Sequence, residues 1–508
     1  MTDAETEPGA DTRIWQELGQ RGSHAALQLA IRSLILRGLT FIGTIVLARL
    51  LAPADFGVYG IVAAVVSVWT ALGDFGLGAS LVQQAGEPTP QQLRTVWTIQ
   101  QMIALTAVAV IWLAAPVLTG LIAGLPEGTS WMLRILSLGL LMSSLRTLPA
   151  VMMERELRFG PLAAAEVIQQ ATFYSVAIVL AFAHAGPWAF VLAGIGQLAV
   201  GALVVNLAWR HRPHLGIDRS CLRSMFGFGF AYQGSIIVLT IRDAPLPALV
   251  GLAAGTVSAG LIQFAVRLAL TISTIDELVA RIAFPAFSRL QGHPEQQSRA
   301  LDVAILMTGL ILIPAQCWIA ALAPVLVPLV FGSQWTDAVL PLQLICLATL
   351  LRFPARYLRQ AEFADGATRR GLGMSIVTTA LALAGFEFGL LGWGLPGCAF
   401  GFLAGSALGL WASIWLARDV AGLSWGRLTL MFGSALTAAG CAVVTLYAGA
   451  YVLGVSMPHT GSAITSCLLA VVSSAVFAAT CLFLLAITNR GTLALGWRLA
   501  GRAMGRRP

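Results

Sequence analysis

The chain has 508 residues, of which 57% are hydrophobic and only 11% are charged, and its mean hydropathy is +0.82. Soluble domains carry about 25% charged residues, so this composition excludes an ordinary soluble protein. Apolar runs of helical length recur along the whole chain and are continuous rather than alternating, which favours transmembrane helices over a β-barrel. The composition predicts an all-α polytopic membrane protein.

The chain begins with a polar segment, residues 1–22, which lacks the basic start and short apolar region of a signal peptide. We interpret it as a cytoplasmic tail. About fourteen membrane helices follow, with approximate cores at 24–50, 56–83, 94–115, 131–151, 162–183, 187–208, 222–251, 256–284, 300–330, 337–361, 370–390, 394–417, 428–453 and 462–487. The predicted domains are two six-helix bundles (23–210 and 211–420), two extra helices (421–488) and a basic cytoplasmic tail (489–508).

Loops that contain arginine alternate with loops that contain almost none. The chain has no lysine, and its net charge is +8. One set of loops carries the arginines: Arg146, Arg155, Arg158, Arg210, Arg212, Arg219, Arg223, Arg289, Arg299, Arg356, Arg359, Arg369, Arg370, Arg418, Arg427 and those from Arg490 onwards. Cytoplasmic loops carry the basic residues of a membrane protein, so both termini are predicted to lie in the cytoplasm.

Several function classes find no support in the sequence. The arginines are spread over short loops rather than clustered on a soluble domain, which argues against nucleic-acid binding. The seven cysteines lie mostly in apolar runs, and the six histidines lack metal-ligand spacing. Neither a P-loop nor a catalytic grouping stands in a suitable context, and the outward loops are short. We therefore expect a protein without a cofactor that is not an enzyme.

An internal repeat is indicated by an offset of 203 residues. It aligns LAPADFGVYG, residues 51–60, with AGTVSAGLIQ, residues 254–263, and it superimposes Gly57 on Gly260. The same offset places Asp74 opposite Glu277. Transporters built from repeated halves place the substrate site between the halves, near the middle of the membrane.

The segment Gly255–Leu290 carries the candidate site residues of the second half. Arg267 lies near mid-membrane, where a charged residue costs roughly 2.5–3.5 kcal/mol unless it faces protein or water. Arg267 is interpreted either as lining a cavity or as part of an internal ion pair. Asp276, Glu277 and Arg281 follow, and the last two stand four residues apart, as a local ion pair would.

Charged residues in other predicted helices are candidates for the same cavity. Helix 1 carries Arg32 and Arg37, whose spacing prevents both from pointing straight into one groove. Helix 7 carries Arg242 and Asp243 directly before two prolines, and interrupted helices often border binding sites. Because adjacent residues on a helix do not face each other, Arg242 and Asp243 are expected to have different partners.

Two further interpretations concern single residue types. Asp74 lies between glycine and phenylalanine and is interpreted either as a gate residue or as the cap of a helix break. Four tryptophans near predicted membrane interfaces are expected to be belt residues that contact lipid head groups. They are Trp131, Trp188, Trp335 and Trp393.

Four stretches carry a resemblance to a known family. LARLLAPADFGVYGIVAAVV and LGDFGLGASLVQQ, within residues 47–84, resemble the opening of the Wzx-like polysaccharide flippases of the multidrug/oligosaccharidyl-lipid/polysaccharide (MOP) superfamily. AFPAFSRL (283–290) and APVLVPLVFGSQWTDAVLPLQLICLA (323–348) are similar to the same family's second half. The match extends to about residue 420.

The resemblance implies a flippase that moves undecaprenyl-diphosphate-linked oligosaccharides across the bacterial inner membrane by alternating access. It also implies a cationic lumen, which fits the arginines in the predicted helices, and we take Arg267, Arg32, Arg37 and Arg242 as the candidate substrate contacts. Residues for a gate or for coupling to Na⁺, H⁺ or the membrane potential would be Asp74, Asp276, Glu277, Arg281 and Asp243. Expected partners are the lipid-linked oligosaccharide, membrane lipids, a polysaccharide polymerase and the export machinery.

Three alternatives remain open at this level. A cation-coupled multidrug exporter of the same superfamily would more naturally have twelve helices and an acidic pocket. A lipid II flippase shares most of the pattern. A membrane polysaccharide polymerase would need a long outward loop for catalysis, and the sequence predicts none.

Overall fold

The computed structural model describes residues 35–73, 87–156, 158–209, 215–218 and 234–417, together with positions 440, 476, 479 and 480. All regular structure in this part of the chain is helical, with no β-strand. Outside the described ranges lie the predicted tails (1–22 and 489–508). The two predicted C-terminal helices lie outside them as well, except for the four isolated positions. Arg32 and Asp74 also lie outside them.

Twelve α-helices are labelled here in chain order. The first half contains α1 (35–50), α2 (Pro53–Gly73), α3 (Pro90–Gly120), α4 (Thr129–Ser137), α5 (Gly139–Arg155), α6 (Phe159–Phe182) and α7 (Trp188–Ala208). The second half contains α8 (234–243), α9 (Leu246–Arg289), α10 (Pro294–Leu326), α11 (Val339–Ala364) and α12 (Thr368–Leu416). A π-helical turn (Val327–Phe331) and a 3₁₀ turn (Ser333–Ala338) connect α10 to α11.

Membrane-length helices dominate the described residues. Nine helical segments in these ranges are long and apolar enough to cross a bilayer. In a bilayer every backbone polar group must find a partner inside the protein, and a helix provides these partners within one segment. The prediction of an all-α polytopic membrane protein is therefore confirmed, while the number of fourteen helices stays a prediction.

Two of the long helices are interrupted where the sequence predicted boundaries between helices. In α9 the break is at Gly255, which has φ 79° and ψ 175°. In α12 it is at Trp393 and Gly394, where Gly394 has φ 64°. A positive φ suits glycine because it lacks a Cβ atom. Beyond the second break the chain packs against its own preceding leg, with Gly385 against Gly401.

The chain divides into two compact units, which alternate along the sequence. The described residues within 1–47, 77–111 and 134–225 form unit 1, and those within 48–76, 112–133 and 226–508 form unit 2. In unit 1, α7 packs against α5 and α6. In unit 2, α2 packs against α9, and α11 packs against α9, α10 and α12. The predicted bundle boundaries, 23–210 and 211–420, remain predictions.

Within unit 2, α2 and α9 cross at two glycines. A Cβ atom added to Gly57 would lie 1.8 Å from the carbonyl oxygen of Thr256, and one added to Gly260 would lie 1.8 Å from that of Pro53. The two backbones touch, so only glycine fits at either position. Pro53 and Thr256 are also separated by the offset of 203 residues, which supports the predicted internal repeat.

Trp335 corrects one expectation, because it is a core residue rather than a membrane-belt residue. Its side chain is fully buried, and its indole Nε1–H donates to the Ala48 carbonyl oxygen at 2.9 Å. The indole stacks on Phe264 with ring centroids 4.2 Å apart and meets the edge of Phe56. Trp131 and Trp393 are exposed and Trp188 is half-buried, and their place at the membrane interface stays a prediction.

Candidate functional site

The candidate site is built on α11, which presents three arginines from one face. Arg352, Arg356 and Arg359 are spaced by four and three residues, so they fall within an arc of about 60° on a helix. The flanking residues of α11 are apolar and mostly buried in the core of unit 2. Burial of these neighbours fixes the rotation of the helix and directs the arginine face towards the interior of the unit.

These arginines line a cavity of about 270 Å³ that lies entirely within unit 2. Arg242 from α8 joins them, so that four guanidinium groups border one space. Asp276 of α9 is a lining carboxylate. The other polar lining residues are small or neutral, namely Ser235, Ser273, Thr349, Gln360, Thr378 and Ser406.

Arg242 and Arg352 share one carboxylate, that of Asp243. Arg242 donates from Nε and Nη2 to Asp243 at 2.9 and 2.8 Å. Arg352 donates from Nη2 to both Asp243 oxygens at 3.0 and 2.9 Å. The guanidinium of Arg352 also lies over the ring of Phe402, 5.3 Å from the centroid, where a cation is attracted by the π-electrons.

The pairing of Arg242 with Asp243 contradicts the expectation that these adjacent residues have different partners. The rule about adjacent residues holds inside a helix. Here α8 ends at Asp243, and residues 244–245 form a turn before α9 begins. The end of the helix frees the side chain of Asp243 to reach its neighbour. Asp243 has the expected separate partner as well, in Arg352.

Arg356 pairs with the second carboxylate. Its Nε lies 3.1 Å from Oδ2 of Asp276, whose side chain is only 3% exposed. The backbone carbonyl of Asp276 accepts a hydrogen bond from the Tyr357 hydroxyl, and that hydroxyl also contacts Thr308 at 2.7 Å. These bonds hold α9, α10 and α11 together behind the cavity.

Arg359 differs from the other three arginines. It is 9% exposed and lines the cavity, and no carboxylate of the described residues lies within ion-pairing distance of it. Among the side chains that the structure describes, the four guanidinium groups and the two carboxylates bonded to them leave two positive charges in excess. Guanidinium groups remain protonated in proteins, so the four cavity arginines stay charged. Such a cavity is suited to bind an anion.

The residues predicted from the sequence are distributed over several places. Arg242 and Asp276 line the cavity, and Asp243 is hydrogen-bonded to the lining residues Arg242 and Arg352. Arg267 is half-buried in α9 and is not among the lining residues; its carbonyl oxygen accepts a hydrogen bond from Thr271. Arg37 is half-buried in α1 and belongs to unit 1.

Two further predicted residues, Glu277 and Arg281, belong to the helical backbone of α9, but their side chains lie outside the described set. Their predicted local ion pair therefore stays a prediction. The same holds for the proposed roles of Arg32 and Asp74.

Sequence reasoning missed Arg352, Arg356 and Arg359 as site residues. The sequence places Arg356 and Arg359 among the loop arginines that indicate membrane orientation, and its local pattern assigns no role to Arg352. A signal was present, because the three residues stand at helical spacing inside the predicted helix core 337–361.

The described residues do not form a metal-binding site. Among these residues no group of three or more His, Cys, Asp or Glu side chains is placed to hold one. Asp243 and Asp276 have arginines as their partners in the cavity.

Comparison with known proteins identifies the family. A family model described as "Polysaccharide biosynthesis protein" matches residues 46–340, more than half of the chain. The chain belongs to that family. It is 26% identical over 395 residues to the succinoglycan biosynthesis transport protein ExoT of Rhizobium meliloti, covering 76% of each chain. It is 23% identical to the lipopolysaccharide biosynthesis protein WzxC of Escherichia coli, covering 74% of this chain and 76% of that protein. The resemblance to Wzx-like proteins is thus confirmed.

Solved structures with the same fold come from the same superfamily. The lipid II flippase MurJ, in an inward closed conformation, matches with a TM-score of 0.73 at 14% identity and covers 91% of this chain and 99% of that one. An inward-facing multidrug resistance MATE transporter of the MOP superfamily matches with a TM-score of 0.61 at 15% identity, covering 78% and 98%. The fold of this multi-pass membrane protein is therefore that of the MOP transporters.

Proposed function

We propose that this protein is a flippase that moves undecaprenyl-diphosphate-linked oligosaccharide units across the bacterial inner membrane by alternating access. The products would serve exopolysaccharide, capsule or lipopolysaccharide assembly. The family match and the names of the relatives support a role in polysaccharide biosynthesis. In this proposal the protein is a transporter and not an enzyme, and it needs no cofactor.

The arginine-lined cavity is the observation that carries the proposal. A diphosphate that links a lipid to a sugar carries one negative charge on each phosphate. The described side chains of the cavity offer two positive charges in excess of the carboxylates bonded to them, which matches the charge of such a head group. Arginine suits this task because its planar fork can donate two parallel hydrogen bonds to phosphate oxygens.

The charge of the cavity also distinguishes the proposal from a multidrug exporter. Cationic drugs are attracted by acidic pockets, whereas the lining described here has an excess of guanidinium groups. A lipid II flippase remains the nearest alternative, since the lipid II head group is also a diphosphate linked to sugars. The membership in a polysaccharide biosynthesis family favours the oligosaccharide.

Orientation and coupling form part of the same proposal. We place both termini in the cytoplasm, in accordance with the arginine-rich loops. Transport would be driven by Na⁺, H⁺ or the membrane potential, with Asp74, Asp276, Glu277, Arg281 and Asp243 as the candidate gate or coupling residues. A polysaccharide polymerase and the export machinery would act on the translocated product.

A deletion strain tests the proposed function. Without the protein, lipid-linked repeat units should accumulate on the cytoplasmic side of the inner membrane, and extracellular polymer should be lost. Expression of the wild-type chain should restore both. Normal polymer export in the deletion strain, without accumulated lipid-linked units, would refute the proposal.

A further inference from the structure

The four cavity arginines differ in how they are neutralised, and this difference suggests a division of labour. Arg242 and Arg352 are held by Asp243, and Arg356 is held by Asp276. Arg359 is 91% buried on the same cavity wall, with a relative exposure of 9%, and no carboxylate of the described residues pairs with it. A buried guanidinium costs free energy when its donors lack an anionic acceptor.

We propose that Arg359 is the anchoring residue for an anionic diphosphate group, and that Asp243 is an internal counter-ion which competes with this group for Arg242 and Arg352. The inference rests on the proposed function, because it takes the anion to be the diphosphate of the transported lipid. It adds an order of events at the same site. The incoming group binds first where a guanidinium is unmatched, and it then exchanges with Asp243.

The geometry around Asp243 fits a competitor. Both carboxylate oxygens of Asp243 accept from both arginines, which is the arrangement that a phosphate group would adopt on the same two donors. Asp243 follows directly on Arg242 at the end of α8, so it remains close when it is displaced. A tethered carboxylate can therefore return to the arginines and promote release of the ligand.

The hydroxyl groups of two small lining residues already have hydrogen-bond partners on neighbouring helices. Ser235 is hydrogen-bonded to Ser375 of α12, and Ser273 accepts from Gln316 of α10 at 3.3 Å. These hydroxyl groups are therefore engaged within the protein. The anion would be recognised by the arginines, with Arg359 as the group that has no competing carboxylate among the residues that the structure describes.

Binding of inorganic pyrophosphate to the purified full-length protein in detergent tests the proposal. Isothermal titration would compare the wild-type chain with Arg359→Gln and Asp243→Asn. The loss of a charge-assisted hydrogen bond should weaken binding by about tenfold or more in Arg359→Gln. Removal of the competing carboxylate should tighten binding by about threefold or more in Asp243→Asn. Asp243→Glu retains the competitor and should bind pyrophosphate as the wild type does.

Matched controls lie outside the cavity. Arg370 and Asp337 are exposed, and Arg370→Gln and Asp337→Asn should leave pyrophosphate affinity unchanged. If Asp243→Asn is too unstable to titrate, Asp243→Ala provides the second test, because it also removes the carboxylate that is bonded to Arg242 and Arg352. Wild-type affinity in Arg359→Gln would overturn the anchor, and an affinity no higher than that of the wild type after loss of the Asp243 charge would overturn the competition.

The pyrophosphate experiment contains no lipid or sugar, so it separates this inference from the proposed function. Suppose that the affinities follow the predicted pattern but the protein does not flip lipid-linked oligosaccharide. The proposed function would then be refuted, while the proposed anion site would stand. Suppose instead that the protein flips the lipid-linked oligosaccharide but its affinity for pyrophosphate does not depend on Arg359. The anchoring role of Arg359 would then be refuted, while the proposed function would stand.

Discussion

Gly57 of α2 and Gly260 of α9 lie against each other at the point where the two helices cross. A Cβ atom on Gly57 would come within 2.9 Å of the Gly260 backbone nitrogen, and one on Gly260 within 3.0 Å of the Gly57 nitrogen. The contact is reciprocal, and its residues are related by the same sequence offset. It fixes α2 on α9 in unit 2, although α2 comes from the first half of the chain.

Substitution of either crossing glycine by alanine should destabilise the protein. The added methyl group would overlap a backbone carbonyl oxygen, so the helices would have to separate, at a cost of about 1–3 kcal/mol. Gly373→Ala is the matched control, because a Cβ atom there has no neighbour within 4 Å. Thermal unfolding in detergent should show a lower midpoint for Gly57→Ala and Gly260→Ala than for Gly373→Ala.

The double variant Gly57→Ala/Gly260→Ala sharpens this prediction. One separation of the helices relieves both overlaps, so the combined loss of stability should be smaller than the sum of the two single losses. Strict additivity, or single variants as stable as Gly373→Ala, would contradict the close crossing.

Trp335 should contribute to stability through its indole N–H. Trp335→Phe retains an aromatic ring beside Phe264 but removes the donor to the Ala48 carbonyl oxygen, with an expected cost of about 1–3 kcal/mol. Trp393→Phe is the control, since Trp393 is 71% exposed. Equal unfolding midpoints for the two variants would show that the buried hydrogen bond does not contribute.

A variant of Arg267 should affect transport without affecting anion binding in the arginine-lined cavity. We expect Arg267→Ala to abolish polymer export, since a charged residue near mid-membrane is kept for a function or for an internal pair. Pyrophosphate affinity should be unchanged, because Arg267 does not line the arginine cavity. Measurements at matched membrane levels are required. Wild-type export by this variant would remove Arg267 from the mechanism.

The fold was largely predictable from the sequence, and the reason is the membrane itself. A bilayer requires long apolar helices, so their existence follows from composition and run length. The breaks at Gly255 and Gly394 were also predictable, because each falls where one apolar run ends and the next begins. The internal repeat predicted only that Gly57 and Gly260 are equivalent positions. That their backbones touch was visible only in the structure.

The site was less predictable, because rotation and depth of a helix are set by tertiary packing. Arg356 and Arg359 stand near the predicted end of a helix, where arginine usually marks membrane orientation. Their place in the cavity follows from how α11 packs against α9 and α12. Trp335 shows the same limit, since nothing in its local sequence distinguishes a lipid-facing ring from one stacked on Phe264.

The central claim is that this protein moves a diphosphate-linked oligosaccharide through a path that uses the arginine cavity. The most direct measurement is transbilayer movement of labelled undecaprenyl-diphosphate-linked oligosaccharide in proteoliposomes that contain the full-length protein. The wild-type chain and Arg370→Gln should accelerate this movement, whereas Arg359→Gln, reconstituted at the same density, should not. Movement no faster than in protein-free vesicles for the wild type, or equal acceleration by Arg359→Gln, would contradict the account.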